Sequence, residues 1–248
     1  MEWTLFLAKK LFNICIYAIF VVSLQPQRVC RAEENEKMLQ ILIDDDMSRC
    51  TAEEVARLLP LVPVQRREQA LRYKTMFGQY CCLRSWEMLD ELLRQTSRES
   101  LGNVSFTSRN FSYNENGKPY LDGGPFFSIS HCKEAIAVAV SDEPVGIDIE
   151  SIRHADDSLI ERVMNENERS LIRAKSQGTE ADRMFTRLWT QKEAIVKAQG
   201  TGILSFEQLQ GLLDEWAKGR MGEGKVESIE KEKYIYSIAY GKLHCFGA

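Results

Sequence analysis

Asp148 and Glu150 stand two positions apart in V-G-I-D-I-E-S-I, the stretch from Val145 to Ile152. In an extended strand they project from one face while Ile147 and Ile149 point the other way. Two carboxylates that close repel each other unless a cation sits between them, and a hard divalent ion such as Mg²⁺ is the simplest candidate. The alternative is an ordinary solvated strand face. A second informative stretch, Leu188 to Gly202, reads L-W-T-Q-K-E-A-I-V-K-A-Q-G-T-G. On a helix Glu193 and Lys197 are four apart and share a face, which in isolation is a routine ion pair. Beside Asp148 and Glu150, Glu193 adds a third oxygen ligand and Lys197 a cation for phosphate that the metal leaves uncovered. A Mg²⁺-bound pyrophosphate needs that combination.

The elements that must position these residues follow from periodicity and turn chemistry. Met38 to Asp44 predicts a strand ending in the acidic turn Asp44-Asp45-Asp46, read as a polar turn rather than a metal site, and Thr51 with Glu54 predicts a capping box. Apolar residues from Ala70 to Leu93 recur at three and four, so one long helix is expected over 65–95. Asn114 to Gly117 and Gly123 to Pro125 are turns. Phe126 to Ser130 and Ala135 to Val140 predict two strands joined by His131-Cys132-Lys133-Glu134, and with the acidic strand they suggest an antiparallel meander closing the first half. Helices are expected from Asp156 to about Ser176, from Thr179 to Gln199 with a stop at Gly200-Thr201-Gly202, and from Ser205 to Lys218. A strand pair over 225–229 and 234–240 ends the chain. The class is α+β: two similar subdomains, each a small antiparallel sheet packed with helices, at 38–150 and 151–248.

Bulk properties narrow the function. A length of 248 residues with 44% hydrophobic and 27% charged residues allows a substantial core and excludes a disordered or integral membrane chain. Net charge is −4, so no global basic field draws the protein to nucleic acid, and an anionic ligand must be met by local cations. Seven cysteines without C-x-x-C suggest neither a disulfide framework nor a zinc site, and the three histidines have no metal-binding spacing. Free thiols fit a reducing compartment, hence a cytoplasmic location. Residues 1–37 carry Lys9 and Lys10 before an apolar run from Leu11 to Leu24, the layout of a secretory signal or an anchor. The preferred reading is a start assigned too far upstream, with Met38 as the natural beginning and no membrane role.

Four motifs taken together carry a family resemblance. G-I-D-I-E at Gly146 to Glu150, paired with W-T-Q-K-E-A-I-V-K at Trp189 to Lys197, closely resembles the two signature motifs of the 4′-phosphopantetheinyl transferases. F-S-I-S-H at Phe127 to His131 and G-K-P at Gly117 to Pro119 resemble the coenzyme A-binding segments of the larger, surfactin-synthetase-activating, pseudo-dimeric class. The motifs keep the family's order and spacing, and the resemblance covers most of residues 38–248. It implies Asp148, Glu150 and Glu193 as Mg²⁺ ligands, Lys197 as a pyrophosphate contact, Ser130 and His131 as phosphate contacts and Lys118 as a contact to the 3′-phosphate. Arg72 and Lys74 match the basic residues that the family often has in the first long helix, whereas Met76-Phe77-Gly78-Gln79 departs from its more polar run. The implied reaction moves 4′-phosphopantetheine from coenzyme A to a serine of an apo acyl or peptidyl carrier protein, with Glu193 as the first candidate base and a monomeric enzyme. The competing expectations are a Mg²⁺-dependent nucleotide or pyrophosphate hydrolase built on the same acids, and a non-catalytic membrane-tethered interaction protein.

Overall fold

The computed structural model describes residues 20–22, 38–96, 105–175, 178–202 and 204–243. The readings of a leader, an anchor or an upstream start therefore lie almost wholly outside the described residues. Strand β1 (Phe20–Val22) runs parallel to β2 (Leu39–Asp44). Three helices follow, α1 (Ala52–Leu58), α2 (Val64–Arg72) and α3 (Met76–Thr96), then a short hairpin of β3 (Phe111–Tyr113) and β4 (Pro119–Leu121). Strands β5 (Phe126–His131) and β6 (Ile136–Ser141) complete the first sheet, ordered β1-β2-β6-β5. In β6 the large residues Ile136, Val138 and Val140 alternate with Ala137 and Ala139, so a strand's period of two sends them to opposite faces. The large set joins Leu83, Trp86, Leu89 and Leu93 of α3 in one core. The alanine face allows close approach of a second sheet.

That second sheet contains β7 (Val145–Ser151), followed by helices α4 (Asp157–Val163), α5 (Glu166–Arg173), α6 (Thr179–Gln199) and α7 (Phe206–Ala217), and by strands β8 (Gly222–Glu230) and β9 (Tyr234–Leu243). Its order is β7-β9-β8, antiparallel throughout. The expected meander is thus corrected: β7 leaves β5 and β6 and pairs along its whole length with β9, Asp148 opposite Ser237. The reason is burial on both faces. Ile147 and Ile149 pack with Ile41, Ala137, Tyr236 and Ile238 between the two sheets, while the opposite face of β7 and β9 lies under α6. The α+β class holds, with helices and a small sheet in each part.

Two expected helices are each split by a side-chain cap. The helix over 65–95 breaks at Tyr73, whose backbone is extended, and restarts where Thr75 Oγ1 accepts the Gly78 amide at 3.1 Å. The segment after Asp156 breaks at Asn165, which forms a full capping box with Glu168. At Thr51 only half of the expected box forms: its hydroxyl accepts the Glu54 amide, but the Glu54 carboxylate turns to Arg49 and Arg57. Of the acidic turn, Asp46 caps a short 3₁₀ turn, and Asp44 is buried against Arg84 Nε at 2.6 Å.

Candidate active site at the seam between the sheets

The alternation of β7 aims Gly146, Asp148 and Glu150 toward α6. Gly146 sets how close that helix comes: a Cβ placed there would lie 2.0 Å from the Ala194 carbonyl oxygen and 2.3 Å from the Ala198 amide nitrogen. No other residue permits this contact without moving the helix. The close approach brings the face bearing Glu193 and Lys197 against the acidic strand.

Lys197 Nζ lies 2.6 Å from Asp148 Oδ1 and 2.9 Å from Ser130 Oγ. Its ion pair is therefore made with β7 under the helix, and its contact with Ser130 of β5 crosses the seam. The hydroxyl of Ser130 donates to the same Asp148 oxygen at 2.9 Å and accepts the Ile149 amide at 3.3 Å, and Ser128 Oγ accepts the Ile147 amide at 3.0 Å. The two serines stand in for the backbone ladder that β5 and β7 do not form. Asp148 is 3% exposed, and its second oxygen, Oδ2, is buried without a hydrogen-bond partner. Burial first, and then the charges of Asp148 and Glu150, hold the Glu193 carboxyl above its ordinary pKa. Glu150 is raised in the same way, by burial and then by Asp148, while a hydrogen bond from Trp189 favours its anion. Trp189 is itself fixed by stacking on Phe185.

Carboxylate oxygens, one of them unpartnered, are the donor chemistry that a hard divalent cation takes. The three acids form one electrostatically coupled group with a single lysine among them, and an orphaned carboxylate oxygen remains at its centre. As they stand, with Lys197 on Asp148, the acids are not a ready-made metal site: among the described residues no three acidic, imidazole or thiolate groups form a group that could hold a metal ion.

Of the remaining expected residues, His131 and Lys118 lie against the acid group's own elements. His131 ends β5, exposed, with its ring edge-on to Phe77 at 6.2 Å; partial withdrawal from water, then the Lys197 cation, lowers its pKa. Phe77 belongs to the run that departs from the family's polar pattern. Lys118 directs its ammonium to the carbonyl oxygens of Lys197 at 2.5 Å and Val145 at 3.2 Å. Arg72 and Lys74 are exposed around the break between α2 and α3. A cavity of about 490 Å³ opens beside Glu193 and Lys197, bounded by Lys118, Phe127, Trp189 and Leu209, within the size range of small-molecule sites. Residue-level reading missed Ser128, the Trp189 contact and the role of Gly146. Only the S-I-S alternation and a glycine inside a β-branched run signalled two of them.

An acid cluster with one lysine beside a ligand-sized cavity offers charges of the kind that a phosphate-bearing ligand needs. The model of the 4′-phosphopantetheinyl transferase superfamily matches residues 144–239, a range holding β7, the helices α4 to α7 and most of the second sheet. The 4′-phosphopantetheinyl transferase gsp of Aneurinibacillus migulanus is 34% identical over 142 residues, 57% of this chain and 57% of its own length. A 4′-phosphopantetheinyl transferase of Bacillus subtilis is 28% identical over 67% of this chain and 71% of its own. The 4′-phosphopantetheinyl transferase AcpT of Salmonella typhimurium is 33% identical over 52% of this chain and 74% of its own. The chain belongs to the 4′-phosphopantetheinyl transferase superfamily, a family of enzymes.

Proposed function

We propose that this enzyme transfers the 4′-phosphopantetheine arm of coenzyme A to a serine hydroxyl of an apo acyl or peptidyl carrier protein and releases adenosine 3′,5′-bisphosphate. The observation that carries the reading is Asp148, one oxygen held by Lys197 and Ser130 and the other unpartnered, in a chain of this family. Asp148, Glu150 and Glu193 would hold Mg²⁺, which when bound withdraws charge from the donor's pyrophosphate. Lys197 meets the pyrophosphate and stabilises the negative charge that grows on the leaving phosphate. Ser130 and His131 contact the donor's phosphates, and the resemblance implies Lys118 as a contact to the 3′-phosphate.

In the reaction the carrier's serine oxygen bonds to the β-phosphorus, and the bond from that phosphorus to the bridging oxygen breaks. The electron pair leaves with adenosine 3′,5′-bisphosphate. The serine is a weak nucleophile near neutral pH, so its proton needs an acceptor in reach, and Glu193 on the cavity wall is that group. The protein acts as a monomer of two α+β parts, in the cytoplasm. Four thiols, Cys50, Cys81, Cys82 and Cys132, are unpaired, and among the described residues no helix is long and apolar enough to cross a membrane.

Chromatography of the products tests the reading. Adenosine 3′,5′-bisphosphate is expected to appear from coenzyme A and Mg²⁺ only when an apo carrier is present. Release at the same rate without any carrier would favour a hydrolase instead.

A further inference from the structure

The last carbonyls of a helix have no partner within it and must be met from outside. Helix α6 ends at Gln199, with Gly200 in the left-handed conformation at φ 72°. Its exposed carbonyls are met by the turn between β3 and β4, which belongs to the first sheet's side of the seam. Asn114 Nδ2 and Asn116 Nδ2 both donate to the Gly200 oxygen at 3.0 Å, and Lys118 Nζ donates to the Lys197 oxygen at 2.5 Å. The same ammonium reaches the Val145 oxygen at 3.2 Å, at the start of the acidic strand.

The turn is stiff in its own right. Asn114 Oδ1 accepts the amides of Asn116 and Lys118, and the Gly117 amide closes onto the Asn114 carbonyl. It also fits the helix exit closely: a Cβ on Gly200 would meet Asn114 at 3.1 Å, and one on Gly202 would meet Asn116 at 3.0 Å.

We infer that Lys118 is a positioning residue: with Asn114 and Asn116 it caps α6 from across the seam and fixes Lys197 and Glu193 over the acids of β7. A cation at a helix C-terminus is favoured by the helix dipole as well as by the carbonyls it meets. Because one ammonium bridges the Lys197 and Val145 carbonyls, it ties the end of the helix to the start of the strand. The side chain that Lys197 sends to Asp148 starts from the residue whose carbonyl is held. This inference rests on the donor proposed above and gives Lys118 a role other than contact with the donor's 3′-phosphate.

The test compares Lys118→Met, Lys118→Arg and wild type with two donors, coenzyme A and 3′-dephospho-coenzyme A, which lacks the 3′-phosphate. Positioning predicts that Lys118→Met lowers kcat by about tenfold or more with both donors, by the same factor, with KM for the donor little changed. Lys118→Arg, still able to donate to carbonyls, recovers most of that loss. A penalty seen with coenzyme A and absent with the dephospho donor, or a rise in KM alone, overturns the inference. A second readout does not need turnover. Amide hydrogen exchange over 198–200 is expected to speed up by about tenfold in Lys118→Met, and also in the paired Asn114→Ala, Asn116→Ala variant, while the core of α3 is unaffected. Unchanged exchange in both variants overturns the clamp. Failure of wild type to transfer from either donor defeats the donor reading, leaving the exchange data to judge the clamp.

Discussion

Ser130 and Asp148 are joined across the seam: the serine hydroxyl donates to Oδ1 at 2.9 Å while accepting the backbone amide next to that aspartate at 3.3 Å. One side chain thus holds both the strand and the carboxylate it presents. Ser130→Ala leaves the buried Ile149 amide without a partner, a loss of about 1–3 kcal/mol in stability. Urea denaturation should show that loss. Transfer should fall with it, because Lys197 and Asp148 lose their shared anchor.

Gly146→Ala places a methyl group where the Ala194 carbonyl and Ala198 amide stand. The helix must move away from β7, at a cost of about 1–3 kcal/mol typical of overpacking. Transfer should fall by about a hundredfold, since a small displacement of Lys197 and Glu193 is enough to spoil the geometry. Retention of wild-type kcat would show that the close approach is dispensable.

Glu193 carries a pKa above its ordinary value because of burial and its acidic neighbours. The sign of the linkage follows. A raised carboxyl pKa contributes stability while the group is protonated, below its unfolded value, and that contribution disappears as pH rises through the folded pKa. Glu193→Gln should therefore melt higher than wild type near pH 7 in a chelator, with the difference shrinking as the buffer is taken down through the carboxylate range. Mg²⁺ should raise the melting temperature of wild type more than that of the variant. Identical melting curves at both pH values would contradict the coupling of the three acids.

Lys192, wholly buried beside Glu193, donates to Glu168 Oε2 at 2.7 Å and to the carbonyls of Val163 and Leu209 at 2.7 and 2.8 Å. It ties α4, α5 and the first turn of α7 to α6. Lys192→Met strands the Glu168 carboxylate in the core, a loss of about 3–5 kcal/mol. Replacing Glu168 by Leu in the same chain should restore much of the stability, as a denaturant series would reveal; simple additivity of the two losses would rule out the pair.

The sequence made some of this legible and hid the rest for identifiable reasons. Helix α6 could be read from Thr179 to its end because Gly200-Thr201-Gly202 is a strong stop and its apolar residues recur at helical spacing. The breaks at Tyr73 and Met164 could not, since they are made by single capping side chains, Thr75 and Asn165, without glycine or proline to mark them. The same-face geometry of Asp148 and Glu150 follows from a strand's period, but the partner of β7 does not: the short turns after β5 and β6 suggested a meander, and the ladder goes to distant β9. The spacing of Glu193 and Lys197 suggested a pair with each other. The pairing of Lys197 with Asp148 depends on how near α6 lies to β7, which Gly146 decides in three dimensions. Lys192 reads as a surface charge in a polar helix, and only the packing of α5 and α7 buries it.

Whether this enzyme modifies a carrier is decided by intact mass spectrometry of an apo carrier protein after incubation with the enzyme, coenzyme A and Mg²⁺. One phosphopantetheine adduct is expected on the carrier's serine, lost when Asp148→Ala or Glu193→Ala replaces wild type although circular dichroism shows the fold retained. Absence of any adduct across acyl and peptidyl carriers, or full modification by the Asp148→Ala variant, would contradict the proposed transfer.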